Sequence, residues 1–195
     1  MTTIRSPAHR RQHVRELRQR RRCARRRRVA GVVASTARGV AASALGTLAM
    51  DASLYRRYRH DGGTAPFPAW ESSEGLTSWE DAPAPALVAK RMLEAVLGRE
   101  ISPRDARVLN NATHWGFGLA TGAAYGLVAG SQRKVKFWDG PAFGTIVWAN
   151  GYVVLPALGV YKPIWRYDVV TLAKDLSAHL VFGTATAAAF QLLGQ

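Results

Sequence analysis

The sequence predicts an all-α integral membrane protein: a helical bundle of about four transmembrane helices behind a disordered basic N-terminal tail. Three observations carry that expectation. Stretches without Lys, Arg, Asp or Glu run for 25 residues (108–132), 22 residues (140–161) and 20 residues (176–195). A bilayer core of ~30 Å calls for about 20 mainly apolar residues in one helix. Small residues recur every four positions inside these runs, and the positive charge is concentrated at one end.

The tail is residues 1–28, expected to be disordered or transiently helical, with twelve Arg and one acid, Glu16. It carries +11 of the net charge of +14, whereas the other 167 residues hold 15 basic and 12 acidic side chains. The mean hydropathy of −0.10 is therefore pulled down by the tail and hides an apolar body. Anionic headgroups attract a juxtamembrane polycation by about 1 kcal/mol per basic residue near the surface. Anionic lipid is thus the expected partner of the tail. Nucleic acid, which any polycation binds without specificity, is the lesser expectation because the tail adjoins a span. Cys23 is the only cysteine, so an intrachain disulfide is excluded. The basic stretch is too long, and lacks a following apolar core, for a secretory signal.

Residues 29–195 form the expected membrane domain. Its first apolar stretch, Val29 to Met50, is interrupted by Arg38; span 1 is placed at about 39–58, with Arg38 snorkelling to the headgroups. Residues 60–102 are a polar connector, with Pro66, Pro68, Pro83 and Pro85 in its loops and a short amphipathic helix, LVAKRMLEAVLG. Its segment PAWESSEGLTSWEDAPAP, with Glu71, Trp79, Glu80 and Asp81, can fold over the outer mouth of the bundle. Ser102 before Pro103 reads as a helix cap. Spans 2, 3 and 4 follow at about 111–131, 140–160 and 174–193, and Pro156 is expected to kink span 3. A soluble bundle would need a charged water-facing stripe, which these runs lack.

The segment GLATGAAYGLVAG places Gly118, Gly122, Gly126 and Gly130 on one helix face. Each Gly in a water-exposed helix costs about 1 kcal/mol relative to Ala. In lipid, helices associate by close packing, and small residues four apart let backbones approach. Gly39, Ser43 and Thr47 form a similar stripe in span 1, as do Gly183 and Ala187 in span 4. The partner of the glycine stripe is either another span or a second copy of the chain.

The Arg tail predicts a cytoplasmic N-terminus. The connector then lies outside, the QRKVK loop (Arg133, Lys134, Lys136) returns to the cytoplasm, and the C-terminus is inside. Arg56, Arg57 and Arg59, just outside span 1, run against this orientation. Trp115, Trp138, Trp148, Tyr152 and Trp165 mostly fall near span ends, as interfacial aromatics do.

Each small-residue stripe ends in polar side chains: Asp51 beyond Thr47, His114 and Asn110 before Gly118, His179 and Asp175 before Gly183. Four-span topology brings the end of span 1 and the starts of spans 2 and 4 to one side, so Asp51, Asn110, His114, Asp175 and His179 are expected in one layer. Three uses stand open: hydrogen bonds that set register, a protonation site, or a Zn or Fe site with His114, His179, Asp175 and Asp51 as ligands. There is no Walker loop, dinucleotide fingerprint, nucleophile elbow or HExxH, which lowers the expectation of an enzyme.

GTLAMD at 46–51, HWGFGLATGAAYG at 114–126, GYVVLPALGVYKP in span 3 and DLSAHLVFGTA at 175–185 resemble the YagU-like bacterial inner-membrane proteins, over about residues 37–193. The resemblance implies a small multi-pass protein of the bacterial inner (plasma) membrane with a loose link to acid tolerance; it supplies no catalytic residue. The functional expectation is a proton-responsive membrane protein tied to acid or envelope stress. The alternatives are a scaffold that homo-oligomerises through the glycine stripe, and a metal-dependent membrane enzyme or small transporter.

Overall fold

A computed structural model describes residues 7–132, 136 and 138–195, with side chains from residue 20 onward. Arg133 and Lys134 of the QRKVK loop, and Arg5 of the tail, lie outside the described residues. The chain folds into six α-helices: α1 (Pro7–His60), α2 (Phe67–Glu71), α3 (Ala84–Leu97), α4 (Ala106–Ala129), α5 (Asp139–Ala157) and α6 (Val169–Leu192). Short 3-10 turns at Pro103–Asp105 and Ile164–Arg166 lead into α4 and α6, and no strand occurs among the described residues.

The helix boundaries follow local chemistry. Ser102 Oγ accepts from the Arg104 amide at 3.3 Å and opens the turn into α4. Asp168 caps α6, accepting from the Thr171 amide at 2.8 Å. The predicted amphipathic helix is α3, and it stops at Gly98, whose φ of 64° is open to glycine at no steric penalty. Pro156, expected to kink its helix, sits in the last turn of α5, which ends one residue later, before Gly159 at φ 65°.

Of the two readings of the basic tail the structure takes the helical one: from Pro7 it is continuous with the first apolar stretch in the 54-residue α1. No Pro or Gly interrupts residues 8–30, and Arg is among the stronger helix formers. Arg38, expected to reach toward the headgroups, rests on the end of α6. Its guanidinium lies 3.7 Å from the centre of the Phe190 ring, against the C-terminal end of α6. A cation there meets both the ring face and the negative end of the helix dipole.

The centre of the molecule is an antiparallel pair, α1 against α4. A Cβ added to Gly39 would strike the Gly122 carbonyl, one on Gly122 would strike the Ser43 side chain, and one on Gly126 would strike the Ser35 carbonyl. Gly130 faces the Ser35 side chain, and Gly118 has Thr47 Oγ1 2.5 Å from the place its Cβ would take. The glycine stripe therefore packs on α1 of the same chain, with Gly118, Gly122 and Gly126 buried and Gly130 exposed at its end. On a neighbouring face of α1, Gly46 meets Thr186 and the Phe182 carbonyl of α6. Gly140 and Gly144 of α5 meet Gly183 and the His179 carbonyl of α6 in the same manner. Tyr125 ties the far end together, with ring centres 4.8 Å from Phe143 and 5.5 Å from Phe190.

Small hydroxyl side chains share the interior with Ala42, Phe182 and Phe190. Ser43, Thr47 and Thr186 are fully buried. Ile146, Val153, Val108 and Val128, in contrast, stand 67%, 72%, 66% and 61% exposed. Among the described residues one helix, Arg20–His60, is long and apolar enough to cross a membrane by length and composition. The other long helices carry the Gly, Thr, Asn and His that allow close packing, and their mean hydropathy falls accordingly.

Replacing Gly122 by Ala is expected to destabilise the α1–α4 pair by about 1–3 kcal/mol through overpacking. Gly116→Ala, on the open side of α4 with nothing within 4 Å, is expected to be neutral or to gain up to about 1 kcal/mol. Thermal unfolding of both variants in detergent checks this; equal behaviour would remove the close contact.

Candidate functional site

The register of α1 against α4 continues beyond Thr47 and Gly118 by one turn, and there it delivers Asp51 opposite His114. Asp51 is 3% exposed. His114 Nε2 lies 3.1 Å from both carboxylate oxygens of Asp51. A carboxylate only accepts, so Nε2 carries the ring proton and donates it to both. Nδ1 is then the atom free to take a second proton.

The third member comes from the connector. Glu71, the last residue of α2, is half-buried beside Asp51, His114 and Trp115. Its Oε1 is buried with no hydrogen-bond partner. Burial first, and the neighbouring Asp51 charge second, hold the Glu71 carboxyl above the usual carboxylate range; His114 and Trp115 act in the opposite sense.

The connector is fastened over this site as a lid. Arg107 donates to the Ser72 carbonyl at 3.0 Å and to Ser72 Oγ at 3.1 Å. Asn111 donates to the same carbonyl at 2.9 Å, and Asn110 Nδ2 to Ser73 Oγ at 2.8 Å. Ser73 holds a φ of 50°, uncommon for a residue with a Cβ. On the other side Tyr55 donates to the Ala65 carbonyl at 3.0 Å, and Tyr58 accepts the Ala65 amide at 3.0 Å. The rings of Tyr55, Phe67 and Trp70 complete the hinge, with centres 5.2 and 5.4 Å from Tyr55.

The five residues expected in one layer form two His–Asp pairs and one lid contact. Asp51 and His114 meet, and Asn110 serves the lid above them. Asp175 and His179 form a separate pair on α6, with Nδ1 2.9 Å from the Asp175 carbonyl and 3.5 Å from its carboxylate. Among the described residues no hydrogen bond or ion pair joins the two pairs, and no group of three or more His, Cys, Asp or Glu is set to hold a metal. Around Asp175 stand tyrosines that sequence reasoning did not assign to a site. The Tyr152 ring lies 5.4 Å from Tyr161 and 5.5 Å from Tyr167. Burial first, then the Asp175 charge, push the Tyr161 hydroxyl up to about 12.

Glu71 had a sequence signal only in lying within a segment able to fold over the mouth. Ser72 and Ser73 share that signal, but their partners, 35 to 39 positions away, had none that spacing reveals.

The model of a family described as "Protein of unknown function (DUF1440)" matches residues 100–189. That span takes in α4, α5 and nearly all of α6, hence His114, Asp175, His179 and the glycine stripe. Asp51 and Glu71 fall outside it. No curated protein and no solved structure matches the chain.

A carboxyl held above its usual range binds protons more tightly in the folded state. The stabilising contribution of this group is therefore expected to be complete below pH 4.5, its ordinary value, and to be lost as pH rises through the raised one. Glu71→Gln is expected to be more stable than wild type at pH 8 and equal to it at pH 4. Thermal unfolding across that range in detergent measures it; a parallel offset at every pH would contradict the assignment.

Proposed function

We propose that this chain is a multi-pass bacterial inner-membrane protein, akin to the YagU-like proteins, that senses protonation at Asp51, Glu71 and His114. In this reading α1, α4, α5 and α6 supply four spans, with both termini cytoplasmic. The hydroxyl-lined interior and the exposed Val and Ile side chains support it, because such a surface suits hydrocarbon and not water. The Arg tail supports the orientation through the positive-inside rule.

The observation that carries the functional reading is that three titratable groups from three elements converge under one lid. Paired imidazole and carboxylates within a membrane domain mark protonation sites. At low pH a proton on His114 Nδ1 makes an ion pair with Asp51, and a proton on Glu71 removes its repulsion with Asp51. Both events draw α2 onto α1 and α4. At high pH two carboxylates face each other, and the lid loosens. Acid or envelope stress is the setting in which such a device serves a cell.

The scaffold reading is weaker, because α1 fills the glycine stripe. The metal reading would need the two His–Asp pairs to come together.

The test is amide hydrogen exchange of the full chain in lipid nanodiscs, with rates corrected for the intrinsic pH dependence. Residues 67–74 are expected to exchange more slowly at pH 5 than at pH 8, because protonation removes the Glu71–Asp51 repulsion and pairs His114 with Asp51. Glu71→Gln combined with His114→Gln is expected to flatten that difference. Identical corrected rates in wild type at both pH values would leave the cluster purely structural.

A further inference from the structure

The end of α1 that carries Asp51 also borders a cleft of about 400 Å³ lined by Ser53, Arg56, Arg57, His60, Asp61 and Lys174. Its volume lies within the ~300–1,000 Å³ of small-molecule sites. Three cations line it, from the last turns of α1 and the first turns of α6, with Asp61 the only carboxylate.

The cations differ in how they are held. Arg57 is fixed: it donates through Nη1 to the Lys174 carbonyl at 2.7 Å and through Nη2 to Ser177 Oγ at 2.6 Å. A guanidinium has five N–H donors, so Arg57 still has donors to offer. Asp61 turns toward His60, 3.2 Å from its Nδ1. The side chains of Arg56 and Lys174, among the described residues, make no hydrogen bond or ion pair. Two unpaired cations beside an anchored third repel one another, and an anion between them relieves this. Basic residues at the C-terminal end of α1 also suit its dipole, but that does not account for Lys174, which comes from another helix.

We propose that this cleft binds a phosphate-bearing anion. Arg supplies paired N–H donors that match phosphate oxygens, and Lys adds a point charge. In the four-span frame the cleft lies where span 1 ends and span 4 begins, at headgroup level. The phosphate is then either that of an anionic lipid or a free one. The same assignment accounts for Arg56 and Arg57, which run against the positive-inside bias: they are retained as ligands.

The experiment follows the unfolding temperature of the full chain in an uncharged detergent. One arm adds inorganic phosphate against sodium chloride of equal ionic strength. The other adds phosphatidylglycerol against phosphatidylcholine. A rise with phosphate identifies a free anion as sufficient; a rise confined to phosphatidylglycerol identifies the lipid headgroup. Arg56→Gln combined with Lys174→Gln is expected to raise the half-saturating concentration at least about tenfold, the loss that follows removal of charge-assisted bonds. Asp61→Asn is expected to lower it, which keeps the test alive should the double variant not fold. The Arg tail is present in every variant, so its own attraction to lipid cancels from the comparison. No rise above the controls in either arm would overturn the proposal, as would a midpoint unchanged in both the double variant and Asp61→Asn.

Discussion

The close approach of the α1 and α4 backbones is the constraint on which the remaining architecture depends. Ser35, Gly39, Ser43 and Thr47 on one helix meet Gly130, Gly126, Gly122 and Gly118 on the other, and several of these contacts leave no room for a Cβ. Such a pair gains little from apolar burial. It is held by dispersion between backbones, which falls off within an ångström of separation. Its register is therefore sharply set, and the next turn must place Asp51 against His114. Gly46 lies about 100° around α1 from Thr47, so α6 docks on a second face and α1 becomes central.

The same packing explains why polar groups lie inside. Hydroxyls and glycines are small, and they leave the larger aliphatic side chains of α4 and α5 to point outward. Thr47 and Thr186 Oγ1 are buried without partners, as is Oε1 of Glu71. An unpaired buried carboxyl oxygen is costly when ionised. Glu71 in its protonated form meets less of that penalty, and the chain around it is held by donors from α4, so the lid and the acid group are mechanically one unit.

The molecule thus gathers two kinds of chemistry at the same end. Carboxylates and an imidazole lie between α1 and α4 under the lid, and cations lie between α1 and α6 around an open cleft. Both are built on the last three turns of α1. Movement of that segment would be felt at each, and Arg57, bonded to the Lys174 carbonyl and Ser177, pins it to α6.

By itself the sequence determined what is local to a helix. Runs free of charge mark the long helices. Ser102 and Gly98 mark ends, and four-residue spacing puts Gly118 and His114, or Thr47 and Asp51, on one face, because that periodicity belongs to the helix itself. Alternation of direction along the chain then brought Asp51 near His114. The tertiary structure alone decided the rest. It chose α1 as the partner of the glycine stripe, laid Arg38 on Phe190, separated Asp175 and His179 from Asp51, and carried Glu71 across to the site. None of these follows from spacing, because each depends on which helix faces which and on where a polar loop finds donors. The helical continuation of the Arg tail is the opposite case: it needs no tertiary partner, because Arg is among the stronger helix formers.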